Sequence, residues 1–164
     1  MIDSRILDFI GQHHVLTVAC ATDIAELWCA NAFYVFDLQE EAFIITSEAG
    51  TRHAQMFLEN PRVTGSVVLE TEELGKIRGL QFAGTVRRCD GGLFDRCRLR
   101  YLKRFPYAVL KGGEVWLITP DRLKYTDNRL GFGKKLHWQR EMPGQARAER
   151  AFSVGETKSR SEGK

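Results

Sequence analysis

Long apolar runs are missing from this sequence of 164 residues. No stretch approaches the roughly 20 consecutive apolar residues that a membrane-spanning helix needs. The first ten residues, MIDSRILDFI, also lack the basic segment, apolar stretch and small-residue cleavage site of a secretory signal. We therefore expect a cytoplasmic protein with no membrane partner.

Cysteine is scarce, and its spacing excludes two common uses. The four cysteines, Cys20, Cys29, Cys89 and Cys97, form no CxxC pair and have no metal-ligand spacing with the four histidines. We expect reduced thiols, mostly buried, and no metal site. Cys89 lies beside two arginines, which is the nearest approach to a reactive thiol environment, but a structural role is favoured.

Familiar catalytic motifs are also absent. The sequence has no GxSxG elbow, no HExxH pair and no local Cys/His signature, so it predicts no catalytic residue. The segment LGFGKKLHW, residues 130–138, resembles a phosphate loop only superficially, because it lacks the GxxxxGK[ST] spacing. Lys134 could approach an anion that other residues bind, or the segment could be a surface turn before a last strand.

The net charge of +3 is small and unevenly distributed. Residues 143–164 contain five basic and three acidic side chains, so they carry +2 of that charge. We expect this tail to be disordered and residues 1–142 to form a single domain. The nearly neutral domain lacks a basic stripe with interleaved aromatic residues, so nucleic acid is not an expected partner.

Hydrophobic patterning predicts a mainly β (α+β) fold. Ile6, Phe9 and Ile10 repeat at helical spacing and predict an opening helix. Segments rich in β-branched and aromatic residues then predict strands, which polar turns separate. The last predicted elements are EVWLIT and RLKYTD, with KKLHW as a further candidate. Helices are expected after TSEAG and over GLFDRCRLRYLKRF. About seven strands and three helices that do not alternate regularly indicate a closed or nearly closed antiparallel barrel.

The segment TSEAGTRHAQMF, residues 46–57, predicts a helix that begins with an unusual charge. Helix starts are electropositive and favour acidic side chains, yet this one begins with Arg52 and His53 after the N-cap Thr51. A bound anion would neutralise the charge, with Thr46 and Ser47 as further hydroxyl donors. The alternative is that Arg52 simply points into water.

Two polar residues stand inside apolar strand patterns. Asn31 lies in WCANAFYVF and Gln81 in RGLQFAG. If these side chains are buried, each needs a hydrogen-bond partner. The partner could be a polar ligand or the backbone of a neighbouring strand, and the sequence leaves both alternatives open.

The order of elements, with TRHAQMFLENPRV, GLQFAGTV and YLKRFP, resembles the FMN-binding split-barrel family typified by pyridoxamine 5'-phosphate oxidase, over about residues 6–128. WCANAFYVFD, RGLQFAGTVRR and YTDNRLGFGKK resemble its bacterial YhbP-like branch. The resemblance implies a six-stranded split barrel with short flanking helices. It also implies a homodimer with one FMN in each of two clefts between the subunits.

The resemblance assigns roles to several of the residues above. Thr51, Arg52 and His53 match the phosphate-binding segment after the third strand, with histidine in place of lysine. Thr46 and Ser47 fall at the strand end that touches the cofactor. Asn31 and Phe33 fall on the strand whose backbone meets the flavin. The candidate cofactor-binding set is Asn31, Phe33, Thr46, Ser47, Thr51, Arg52, His53, Gln81 and Lys134.

Departures from the family limit what can be transferred. The second strand has NAFYVF where the family has an arginine and a lysine. The family's flavin-contacting glutamine aligns nearer Gly79 than Gln81. Arg122 and Lys124 match the oxidase's substrate-binding residues only loosely. Pyridoxamine phosphate oxidation is therefore not expected. The first hypothesis is a flavin-dependent oxidoreductase of unknown small-molecule substrate. The alternatives are a non-catalytic protein that binds flavin or haem, and a dimeric module without a cofactor.

Overall fold

The computed structural model describes residues 1–24, 26–110, 112–131 and 134–141. The predicted disordered tail, 143–164, lies outside these residues. Three α-helices are described: α1 (Ser4–Gln12), α2 (Arg52–Glu59) and α3 (Gly91–Arg104). Seven strands are described: β1 (Val15–Ala21), β2 (Leu27–Asp37), β3 (Ala42–Ser47), β4 (Arg62–Val68), β5 (Arg78–Arg88), β6 (Glu114–Asp127) and β7 (Lys135–Gln139).

The strands form an antiparallel barrel. Their order is β3-β2-β1-β4-β5-β6-β7, and pairing of β3 with β6 closes a six-stranded ring. The first half of β6 pairs with β3, whereas its second half, from Arg122 to Thr126, pairs with β7. The predicted antiparallel barrel of six to seven strands is confirmed, with β7 as the strand outside the ring.

Strand β6 differs from the sequence expectation. The pattern predicted two separate elements, EVWLIT and RLKYTD, but the structure has one strand that runs through Pro120. Proline has no N–H to donate to a neighbouring strand. The register with β5 shifts at this point, between Ala83 and Gly84. A Cβ at Gly84 would lie 2.2 Å from the carbonyl oxygen of Thr119, so glycine allows the close approach of the two backbones.

Two hydrophobic clusters fix the helices around the barrel. Alternate residues of β3 point to opposite sides, with Phe43 and Ile45 in the interior cluster and Ile44 in the outer one. Helices α1 and α2 pack onto the interior cluster. Helix α3 packs on the outer cluster through Cys97 and Tyr101, which places its last turn beside β2. In the described part of the chain, no helix is long and apolar enough to cross a membrane.

Candidate functional site

The candidate site is a cavity of about 880 Å³, called here the cofactor cavity. It lies between β2, the end of β3, the start of α2 and the segment that follows α3. Six of the nine predicted residues line it: Asn31, Phe33, Thr46, Ser47, Thr51 and His53. The structure therefore brings together the predicted residues of the second strand, the third strand and the helix start.

The polar end of the cavity is a hydrogen-bonded cluster at the start of α2. Ser47 Oγ lies 2.8 Å from Thr51 Oγ1 and 2.7 Å from His53 Nε2. The Thr51 hydroxyl donates to the carbonyl of Glu48 at 2.9 Å and caps α2 by accepting from the Ala54 N–H at 3.4 Å. The local sequence thus gathers two hydroxyls and an imidazole around one helix terminus.

The electrostatics of this end favour an anion. The first turn of α2 contains no acidic residue, and the N–H groups of Arg52 and His53 have no acceptor within the helix. The helix dipole adds positive potential at the same point. Burial lowers the pKa of His53 below its ordinary value of 6.5, so the ring is neutral at pH 7 in the free protein. A nearby anion would raise that pKa, because it favours the imidazolium form.

Arg52 does not point into this cavity. Its guanidinium pairs with the Glu26 carboxylate, with Nε donating to Oε1 at 3.1 Å and Nη2 to Oε2. The expected role of its side chain as a fork for the anion therefore needs correction: Glu26, not a ligand, neutralises the charge. The backbone N–H of Arg52 still belongs to the free amides of the α2 start.

The other wall of the cavity is aromatic. Phe33 is 55% exposed and its ring lies 5.3 Å, edge to face, from that of Phe105. The Tyr101 ring lies 5.1 Å from the same Phe105, and Tyr107, 87% exposed, extends the wall. Exposed aromatic side chains beside a polar cluster offer an apolar surface for a planar group.

A cation closes the cavity on the α3 side. Arg104 Nη2 donates to the carbonyls of Gly11 and His13 at 3.0 and 2.8 Å. These bonds hold the guanidinium in place next to the aromatic wall. Sequence reasoning missed Tyr101, Arg104 and Phe105 as site residues, although YLKRFPY offered a signal, namely aromatic residues at a helix end followed by proline.

Asn31 combines both alternatives that the sequence left open. Its Oδ1 accepts a hydrogen bond from Thr17 Oγ1 at 2.8 Å, so part of its capacity is structural. Among the described residues, no acceptor is found for its amide nitrogen, which lies in the wall of the cavity. The side chain is therefore oriented by β1 and presents two N–H donors.

Gln81 and Lys134 lie away from the cofactor cavity of the same chain. Gln81 lines a second cavity of about 400 Å³ on the outer face of the barrel, with Lys124 and His137. Lys134 precedes β7, is exposed, and donates its backbone N–H to Gly131. Their positions follow from the barrel order: β1 and β4 lie between β2 and β5, and the second half of β6 pairs with β7 instead of β3.

One row of side chains connects the two cavities. Strand register pairs Asn31 with Thr17, Thr17 with Ser66, Ser66 with Gln81, Gln81 with Lys124 and Lys124 with His137. Directly opposed residues in antiparallel strands share a face, so these six form one row across the outer surface, called here the outer row. The two cavities lie at its opposite ends.

Ser47 and His53 also have the spacing of a nucleophile and base, but the arrangement is incomplete for that chemistry. A catalytic histidine is normally oriented by a third group on its other ring nitrogen. Among the described residues, no hydrogen-bond partner of His53 Nδ1 is found. Ser47, Thr51 and His53 instead lie beside the free backbone amides at the start of α2, a position at which helices can bind anions.

The closed antiparallel ring, the extra strand on β6 and a cavity between β2 and the start of α2 define a split-barrel protein. No family model matches the chain. A UPF0306 protein of Klebsiella pneumoniae (strain 342) is 48% identical over 133 residues, which cover 81% of this chain and 90% of that protein. The UPF0306 protein YhbP of Escherichia coli O157:H7 is 47% identical over 137 residues, 84% of this chain and 92% of the relative. The chain belongs to the UPF0306 family.

Solved structures agree with the fold. A haem-binding protein from Mycobacterium smegmatis superposes with a TM-score of 0.68 at 18% identity, over 85% of this chain and 59% of that one. HutZ, the haem storage protein from Vibrio cholerae, superposes with a TM-score of 0.63 at 17% identity, over 72% of this chain and 89% of that one. An FAD-binding protein from Mesorhizobium loti superposes with a TM-score of 0.59 at 12% identity, over 75% of this chain and 92% of that one. At these identities the likeness concerns the fold.

Proposed function

We propose that this protein binds FMN in the cofactor cavity and acts as a flavin-dependent oxidoreductase. One observation carries the proposal: a helix start with free backbone N–H groups and no acidic residue in its first turn, and an exposed aromatic wall, face the same cavity of about 880 Å³. That volume lies in the range of cofactor-sized sites. A ligand with a phosphate at one end and a flat ring system at the other matches both features, and FMN has this form.

The phosphate of FMN would bind at the start of α2. Free backbone N–H groups supply donors there, and the Ser47 and Thr51 hydroxyls and the His53 ring would turn to the phosphate from their bonds to one another and to the Glu48 carbonyl. The family resemblance expected cations on β2, which this chain lacks. Arg104, fixed by two backbone carbonyls, supplies a permanent positive charge in the same cavity instead.

The flavin ring would lie along β2 and the aromatic wall. Phe33 and Phe105 exclude water from one side, and the Asn31 amide offers donors to ring or ribityl oxygens. Bound FMN supplies two-electron transfer through its ring. The residues of this chain bind and orient it, and none of them needs to act as an acid or base in that transfer.

We propose further that two copies of the chain pair through the outer row. Its middle members, Thr17 and Ser66, are small and uncharged, so two such faces can approach closely. A two-fold axis near them would bring the Gln81 end of one subunit to the Asn31 end of the other. That arrangement would unite the predicted site residues that one chain keeps apart, and analytical ultracentrifugation tests it.

Haem is a second candidate ligand, because two proteins of the same fold carry haem in their names. The cavity presents one imidazole, His53, but its Nε2 is engaged by Ser47 at 2.7 Å. Iron ligation through Nε2 would break that bond. A Soret band on haem addition that disappears in His53→Ala would favour haem over a flavin.

The experiment is to purify the protein, record its absorption spectrum and titrate it with FMN, riboflavin and haem. The proposal expects an oxidised-flavin spectrum and micromolar or tighter binding of FMN. Bound flavin that neither NADH nor NADPH reduces would support storage or sensing rather than catalysis. A dimer that binds neither flavin nor haem would support a module without a cofactor.

A further inference from the structure

A third cavity, of about 280 Å³, lies between α1 and the adjoining ends of β5 and β6. It shares no lining residue with the cofactor cavity. Its lining residues are Arg5, Asp8, Phe9, Gln12, Arg78, Tyr125, Asp127 and Arg129. We call it the arginine cavity, because three arginines face it. Tyr125, Asp127 and Arg129 belong to the motif YTDNRLGFGKK, to which the proposed cofactor site assigns no role.

Two of the three arginines are neutralised within the protein. Arg5 makes a two-point contact with Asp3, at 2.9 and 2.7 Å. Arg129 makes a two-point contact with the buried Asp127, at 3.0 and 2.8 Å. Each of these guanidiniums therefore has a carboxylate of its own.

Arg78 is the exception: it forms no ion pair among the described residues, although the carboxylate of Asp8 also lines the cavity. Asp127 lies directly opposite Arg78 in the strand register, yet both carboxylate oxygens of Asp127 are already used. One oxygen accepts from the Arg129 Nε and backbone N–H, and the other accepts from Arg129 Nη2 and from the Tyr125 hydroxyl at 2.9 Å. The Asp127 carboxylate is therefore occupied by hydrogen bonds from Tyr125 and Arg129 of the same motif and forms none with Arg78.

The Arg78 guanidinium packs on an aromatic ring, but its Nε–H has no hydrogen-bond acceptor in the described part of the chain. It lies over the Phe9 ring, with Cζ 5.7 Å from the ring centroid. Its Nε is buried without a hydrogen-bond partner among the described residues. A buried donor on a charged group that lacks an acceptor is costly, and such groups in folded proteins are normally paired. The buried Nε itself is out of reach of the cavity, so an acceptor there would bind the Nη1 and Nη2 groups of the same guanidinium, for which no partner is found among the described residues.

We propose that the arginine cavity is a second ligand site, which binds a small oxyanion, a phosphate or carboxylate group, through Arg78. A planar guanidinium donates to two oxygens of such a group at once. Phe9 and Tyr125 provide an apolar floor, and Arg5 and Gln12 stand at the exposed rim. The site is independent of the proposed flavin site and does not need it to be occupied.

The test is an NMR titration of the full chain with inorganic phosphate and, separately, with acetate, at constant ionic strength balanced by sodium chloride. We expect saturable shifts of the Arg78 side-chain Nε–H signal and of the Phe9 and Gln12 amides in the millimolar range. Localisation to these signals separates the site from any phosphate binding at the α2 start. A response to phosphate alone assigns phosphate ligands, a response to acetate alone assigns carboxylates, and a response to both assigns either.

The matched variants are Arg78→Lys and Arg87→Lys, the same change at the two ends of β5. Lysine keeps the charge but loses the fork, so Arg78→Lys should weaken binding at least tenfold, whereas Arg87→Lys should leave it unchanged. The wild-type titration is decisive even if Arg78→Lys does not fold. Absence of saturable shifts up to tens of millimolar, or equal affinity in Arg78→Lys, would overturn the proposal.

Discussion

Removing the Thr51 hydroxyl should separate binding of the FMN phosphate from binding of the flavin ring. Thr51 Oγ1 caps α2 and contacts Ser47 at 2.8 Å in the polar end of the cavity. In Thr51→Val the shape is kept and the hydroxyl is lost. Loss of an N-cap costs about 1 kcal/mol. We expect a fall of about 4 °C in melting temperature, which leaves the protein folded at 25 °C.

The effect on binding should depend on the phosphate. A hydrogen bond to a charged group contributes about 1.5–3 kcal/mol, so FMN affinity should fall roughly 10- to 150-fold. Riboflavin has the same ring and ribityl chain without the phosphate, and its affinity should change by less than about twofold. Both affinities come from fluorescence-quenching titrations of the same preparation.

The control is Thr51→Ser, which keeps the hydroxyl and should bind FMN like the unmodified protein. If Thr51→Val weakened FMN and riboflavin equally, the hydroxyl would act on the ring or on the fold. If it weakened neither, the start of α2 would not hold the phosphate, and the assignment of the polar end of the cavity would be wrong.

Three further predictions address His53, Arg52 and Cys29. Because burial lowers the pKa of His53, the free protein takes up its proton only below the ordinary value of 6.5, and a bound anion favours that uptake. The ratio of FMN affinity in the unmodified protein to that in His53→Gln should therefore rise as pH falls from about 7.5 to about 6.5, a range above the pH near 6 at which a phosphate monoester takes up its own proton. A flat ratio would remove His53 from the anion site. Arg52→Ala breaks a half-exposed ion pair with Glu26, so chemical denaturation should show a loss of under about 1 kcal/mol in the free energy of unfolding. FMN affinity should stay within about twofold. A tenfold loss of FMN affinity would mean that the Arg52 side chain turns to the ligand. A thiol reagent should label the exposed Cys29 quickly, and should label the buried Cys20, Cys89 and Cys97 only after denaturation. Burial raises the pKa of each of these three buried thiols, that of Cys89 to about 12, so few of them are reactive thiolates. Rapid labelling of two thiols in the native protein would contradict this burial.

The local parts of the fold were predictable because they depend on neighbouring residues. Alternation of apolar and polar side chains marks each strand, and the helix start at Thr51 follows from its capping side chain. Ser47 and His53 lie within six residues of each other, so their meeting is a property of one turn. The same reasoning failed at Pro120, because the β-bulge that admits proline depends on Gly84 of a strand far away in sequence.

The remainder of the site depends on long-range packing. Arg104 reaches the cavity because α3 packs against β3 and β6, which the sequence does not reveal. The direction of the Arg52 side chain depends on Glu26, which lies 26 residues earlier. When only the residues of that first turn are considered, Arg52 at the helix start is predicted to bind an anion through its guanidinium. In the fold, the Arg52 side chain has the Glu26 carboxylate as its partner, and only its backbone N–H lies at the start of α2 without an acceptor in the helix.

The most direct test of the account is an FMN titration of the purified protein followed by visible absorption. We predict a yellow complex with an oxidised-flavin spectrum, one FMN for each chain, and tighter binding of FMN than of riboflavin because of the α2 start. Failure to bind FMN at micromolar concentrations, in a folded preparation, would contradict the central claim that the cavity between β2 and α2 is a flavin site.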